Sequence, residues 1–217
     1  MLSLPLGGSA RPLRKVLCIG AHCDDIEIGC GATVLRLAEL HPDADVHWVV
    51  LSSSPVRSAE AKTSAERFLS GVKRRDVEIK EFRNSFFPFD GARIKEYFEE
   101  LKGRVTPDLV LTHTRNDLHQ DHRLTCELTW NTFRDHFILE YEIPKYDGDL
   151  GAPNFFVPVD RDLCARKIDT LYECFATQQG RGWFTKDTFW SILRLRGIES
   201  NSASGYAEGF YARKCVY

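Results

Sequence analysis

Short runs of aliphatic and β-branched residues alternate with helix-forming stretches from Lys15 to Ile143. The apolar runs are Lys15–Ala21, Val46–Leu51, a less regular one at Val77–Phe82, Pro107–Thr112 and Phe137–Ile143. They lack the every-second-residue polarity of a sheet with one wet face, so they read as strands covered on both faces, as in parallel sheets. Between them, helices are predicted from Ala32 to His41-Pro42, over 57–70 up to Gly71, over Ala92–Gly103 and over 121–135. Strand and helix in strict turn specify an α/β fold, a Rossmann-like, mostly parallel, doubly wound sheet. Residues 1–14 read as an irregular N-terminal arm, and the pattern loosens beyond Pro144. There a loop (Lys145–Asn154), a short run (Phe155–Val157), a helix over 161–177 and a last helix near 187–196 are predicted. No repeat or linker divides the chain, and 217 residues suit one domain spanning 1–217.

Composition removes several classes of function. Twenty-nine basic against 31 acidic residues give a formal charge of −2, which supplies no positive field for nucleic acid. A hydrophobic fraction of 43% excludes a disordered chain. The seven cysteines are odd in number, form no C-x-x-C pair and sit partly in apolar runs, as expected of a reducing compartment. No stretch approaches the roughly 20 apolar residues of a membrane span, and Leu2–Leu6 is too short for a secretory core. A cytoplasmic protein is expected, and homo-oligomers stay open.

In open parallel sheets, ligands bind outside the carboxyl ends of the strands. His22-Cys23-Asp24-Asp25-Ile26-Glu27 follows the first strand. The fourth is followed by His113 and then Asp117-Leu118-His119-Gln120-Asp121-His122, so three of the seven histidines crowd this one segment. Imidazole and carboxylate are zinc ligands, and a catalytic zinc takes three of them plus water. His22, Asp25 and His122 are the candidate ligands for Zn2+ or another divalent transition metal. Asp24 beside them is placed to take a proton from water, and His119 to stabilise an oxyanion or protonate a leaving amine. Gly29-Cys30-Gly31 invites a nucleotide-binding reading, but the third glycine of that fingerprint is missing and Asp24, Asp25 and Glu27 would repel a pyrophosphate. A metal-dependent phosphoesterase and a non-catalytic sugar- or nucleotide-binding Rossmann-like protein are the alternatives.

Ala21-His22-Cys23-Asp24-Asp25-Ile26-Glu27 resembles the Ala-His-Pro-Asp-Asp-x-Glu signature of the LmbE-like, or PIG-L, zinc-dependent N-deacetylases. His119-Gln120-Asp121-His122 resembles that family's His-x-Asp-His motif. The resemblance implies His22, Asp25 and His122 as metal ligands, Asp24 as general base, His119 as the acid or oxyanion-stabilising group and Asp121 as the carboxylate that tunes the histidines. It further implies a substrate contact for Arg57, paired with Glu60, and a sugar-hydroxyl contact for Asp90. The implied activity is removal of an acetyl or other acyl group from an N-acylated sugar or sugar-derived molecule, with residues 144–217 building a variable pocket. Cys23 departs from the family's proline. Its thiol could join the ligands, but its place between His22 and Asp24 favours a tolerated substitution that points away. His113 reads as a strand-end residue bonded to backbone, and Trp183, Phe184, Phe189 and Trp190 as core or pocket wall.

Overall fold

A computed structural model describes residues 12–216. Residues 1–11 of the expected arm, and Tyr217, lie outside the described residues. The elements are β1 (Lys15–Gly20), α1 (Asp25–Leu40), β2 (Asp45–Val50), α2 (Pro55–Phe68), β3 (Arg74–Ile79), α3 (Gly91–Arg104), β4 (Leu109–His113) and α4 (Gln120–Thr132). They continue with β5 (Phe137–Tyr141), β6 (Phe155–Pro158), α5 (Arg161–Cys174), α6 (Lys186–Glu199) and β7 (Ala207–Ala212). Short 3-10 turns stand at Phe87–Phe89 and Ala176–Gln178.

One seven-stranded sheet runs in the order β3-β2-β1-β4-β5-β7-β6. The first five strands are parallel, and β7 is antiparallel to both β5 and β6. Alternate residues of β1 enter opposite layers. Val16 and Cys18 join the apolar layer that includes residues of α1, α2, α5 and α6, whereas Leu17 and Ile19 join that of α3 and α4. The order reverses between β1 and β4, which opens a crevice at their carboxyl ends.

Three elements differ from the sequence expectation. α1 begins at Asp25 instead of Ala32, so the acidic segment after β1 is itself the first helical turn. β3 lies at Arg74–Ile79 instead of Val77–Phe82 because it is an edge strand whose register comes from pairing with β2, from Asp45↔Arg74 to Val50↔Ile79. β7, whose Glu208 and Gly209 precede the short apolar run Phe210–Ala212, is not predicted from sequence. Phe184 and Phe189 are core, in edge-to-face contact at 5.3 Å, while Trp183 and Trp190 pack partly buried against it.

α1 is not one continuous helix. Cys30 has φ −143° and ψ 18°, outside the helical region, and breaks it into a first segment carrying Asp25 and a longer second one. The first segment lies on Tyr141 so closely that a Cβ at Gly29 would stand 2.1 Å from that ring. Tyr141 cannot retreat easily, because its hydroxyl donates to the Ile19 carbonyl at 2.6 Å. Gly29→Ala is therefore expected to cost about 1–3 kcal/mol by overpacking. Gly103→Ala, in α3 with nothing within 4 Å of the added carbon, should instead gain up to about 1 kcal/mol of helix propensity. Thermal unfolding of the two variants checks both signs.

Candidate active site

The turn after β1 and the first turn of α1 carry His22, Asp24 and Asp25. The loop after β4 and the first turn of α4 carry Asp117, His119, Asp121 and His122. The adjacency of β1 and β4 brings the two segments together. His22 Nδ1 stands 3.1 Å from His122 Nε2 and 3.4 Å from Asp25 Oδ2, and His122 Nε2 stands 3.5 Å from the same oxygen. Around a tetrahedral zinc with arms of about 2.0–2.1 Å, two ligand atoms lie about 3.3–3.4 Å apart. The three donor atoms already have the spacing of three corners of such a tetrahedron.

Two further carboxylates fix which ring nitrogens face inward. Asp117 Oδ2 lies 2.9 Å from His122 Nδ1, so the proton of the neutral ring belongs on Nδ1 and a lone pair remains on Nε2. Asp121 Oδ2 lies 3.2 Å from His22 Nε2, which assigns the ring proton there and leaves a lone pair on Nδ1. Burial opposes the charge on Asp117, yet His122, His113 and Lys145 outweigh it and hold the carboxyl well below its ordinary range. Asp121 is lowered likewise, with burial opposed by His22 and by the backbone N–H groups of Ser85 and Phe87, which donate to it at 2.6 and 3.2 Å. Two imidazole lone pairs and a carboxylate oxygen thus meet at one point, an arrangement that fits a cation. In the ion-free chain a proton takes that place. Burial works against a charged His22, but Asp25 and Asp121 overcome it and raise its pKa to about 10.

Asp24 is buried and turned towards α2, where Arg57 Nη2 donates to its Oδ1 at 2.7 Å. Burial raises its pKa and Arg57 opposes the rise. His119 precedes α4 and accepts the Asp121 N–H on Nδ1 at 3.2 Å, which puts its own proton on Nε2. Its ring stacks on His122 at 4.5 Å, and burial, then His22, lowers its pKa and keeps it neutral. Arg57 also faces Glu60 at 3.6 Å, and Glu60 accepts the N–H and hydroxyl of Thr177. Asp90 lies at the start of α3 and accepts from Arg93 at 3.3 Å.

Cys23 turns away from the donor triangle and donates its thiol to the Ser52 carbonyl at 3.4 Å, and burial pushes that thiol up to about 12. His113 is fully buried, accepts the Ala21 N–H on Nε2 at 3.0 Å and stacks under His122 at 3.9 Å. Sequence reasoning left Asp117 without a role, although it sits five residues before His122 and orients it. Lys145 was also missed. It bridges Asp117 at 3.1 Å and Asp149, whose carboxylate accepts the Leu118 N–H, and only the folded chain brings that loop here.

Comparison with known proteins adds a family to this geometry. Over 112 residues, 51% of the chain, it is 29% identical to the ribosomal RNA large subunit methyltransferase G of Shewanella oneidensis, and it spans only 25% of that protein's length. Its fold is similar to that of the N,N'-diacetylchitobiose deacetylase from Pyrococcus horikoshii, at a TM-score of 0.65 and 21% identity, over 91% of this chain and 83% of that one. It is similar also to the zinc-inhibited form of teicoplanin deacetylase Orf2, at a TM-score of 0.71 and 14% identity, over 91% and 97% of the two chains. The family model described as GlcNAc-PI de-N-acetylase matches residues 17–133, from within β1 to the end of α4, which holds all of the motif residues above. The chain belongs to the PIG-L family.

Proposed function

We propose that this chain is a metal-dependent N-deacetylase acting on an N-acetylated sugar or sugar-derived small molecule. One observation carries the reading: the lone pairs of His22, Asp25 and His122 converge at tetrahedral spacing, with Asp24 and His119 beside them. Family membership and the deacetylases of the same fold support it. A Zn2+ or other divalent transition ion held by these three residues would polarise an acyl carbonyl and lower the pKa of a water towards about 7.

The chain's own groups do the rest. Arg57 occupies Oδ1 of Asp24, so Oδ2 takes the proton of the attacking water. That water's oxygen bonds to the carbonyl carbon, and the His119 Nε2–H donates to the carbonyl oxygen as it gains charge. The C–N bond breaks as the proton on Asp24 passes to the amine nitrogen, giving acetate and a free amine. His119 acts as a neutral donor, which its lowered pKa favours. Arg57 keeps further N–H groups for a substrate oxygen, and Asp90 would meet sugar hydroxyls at the rim. The seven free cysteines support a reducing, cytoplasmic setting. Among the described residues, no helix is long and apolar enough to cross a membrane.

Asp24→Asn should keep the ion and lower acetate release from an N-acetyl sugar substrate by about 10²–10⁴-fold. His119→Ala should keep it and lose about 10²–10³-fold. Near-normal turnover in either variant, with metal content measured alongside, removes that residue from the mechanism. Ion binding needs the His22 lone pair, and its raised pKa means that a proton must leave first. Calorimetry at pH 8 in buffers of different ionisation enthalpy should therefore find about one proton released per ion. The same raised pKa stabilises the chelated protein. That stabilisation is complete below the unfolded histidine's pKa of about 6.5 and is lost as pH rises towards about 10. The melting temperature of chelated protein measured from pH 6.5 to 10 checks the sign, and His22→Gln should flatten the decline.

A further inference from the structure

The break in α1 exposes backbone groups that an unbroken helix would pair internally. In a continuous helix the N–H groups of Ala32 and Thr33 would bond the carbonyls of Ile28 and Gly29. Here they donate instead to the two carboxylate oxygens of Glu208 on β7, at 3.0 and 2.7 Å. The Ile28 carbonyl, deprived of its partner, accepts from Lys167 Nζ on α5 at 2.7 Å. Lys167 and Glu208 then close on each other at 2.5 Å. Both residues are almost wholly buried, at 2% and 3% exposure. One ion pair therefore caps both ends of the break: the carboxylate receives the amino end of the second segment, and the ammonium receives the carboxyl end of the first.

We infer that Lys167 and Glu208 are positioning residues for the donor triangle, holding the break at Cys30 so that the first segment of α1 presents Asp25 to His22 and His122. This inference rests on the reading of those three residues as an ion site. The second segment is committed elsewhere: Val34, Leu35, Leu37 and Ala38 are fixed in the core on that face of the sheet. A continuous helix would impose that segment's axis on Asp25. With the break, the first segment tilts independently, and its floor is continuous with the site. Gly29 lies on Tyr141, Tyr141 meets the His113 ring at 4.8 Å, and His113 stacks under His122 at 3.9 Å. A buried ion pair is a poor source of net stability, since apolar replacements of similar volume often do as well. Geometry is what this pair supplies. The strand β7 thereby acts on a site formed between β1 and β4, from which β5 separates it.

The test is the dissociation constant of Zn2+ alone, measured by competition with a chromophoric chelator. Glu208→Gln is expected to weaken Zn2+ about tenfold or more, as the loss of outer partners of metal ligands does. Ile94→Val, in α3 on the opposite face, should lower the melting temperature while leaving the Zn2+ affinity at its wild-type value. If Glu208→Gln does not fold, Glu208→Asp keeps the charge but shortens the reach, and should weaken Zn2+ in the same direction. Wild-type Zn2+ affinity in the folded Glu208 variant overturns the inference, as does an equal loss in Ile94→Val. Asp25→Ala separates this failure from that of the site itself. If Asp25→Ala binds Zn2+ as the wild type does, the ion site is misassigned; if only Asp25→Ala loses affinity, the site stands and the positioning role falls.

Discussion

Two imidazole lone pairs and a carboxylate oxygen held within 3.5 Å of one another repel unless positive charge lies among them. Much of the surrounding structure maintains that convergence. Asp117 and Asp121 decide which nitrogen of the neutral His122 and His22 rings is bare. The same two carboxylates anchor the loops at the mouth of the site. Asp121 holds the backbone of Ser85 and Phe87, and Asp117 joins Lys145, whose other partner Asp149 holds Leu118. Ser85 adopts φ +64°, a left-handed conformation unusual outside glycine, and the bond from its N–H to Asp121 helps to keep it there.

Charge inside the fold is handled by two devices. Helix amino ends face acidic groups: Asp25 lies in the first turn of α1 and Asp121 in that of α4, where the helix dipole favours a negative side chain. Two buried ion pairs stand near the site, Asp24 with Arg57 and Glu208 with Lys167. The Arg57 pair bears on the proposed base and the Lys167 pair on the backbone behind a proposed ligand. The C-terminal part of the chain thus reaches the site through the back of α1 as well as through Thr177, which binds the Glu60 that faces Arg57.

Where sequence and structure part, the cause is mostly a contact distant in sequence. The buried strands were legible because β1, β2, β4 and β5 carry apolar residues on both faces. The exposed edge strand β3 and the antiparallel β7 were not, since pairing alone defines them. The start of α1 was masked by His22–Asp25, whose polarity reads as a loop until the first turn is seen to be buried. Cys23 reads in sequence as a tolerated substitution that points away, and its thiol donates to the Ser52 carbonyl. Asp90, read from the resemblance as a sugar contact, stands at the start of α3, where Arg93 donates to it.

Residue chemistry and local order by themselves determined the fold class, the two motif segments and the identity of the groups able to hold an ion, because strand burial and ligand type are written in short windows. Tertiary structure alone decided the rest. The His22 tautomer, the partner of Asp24 and the direction of the first turn of α1 depend on Asp121, Arg57, Lys167 and Glu208, supplied by the α4 segment, α2, α5 and β7. Hydrogen bonds of 2.5–3.2 Å between such distant residues exist only once the sheet has placed its strands side by side.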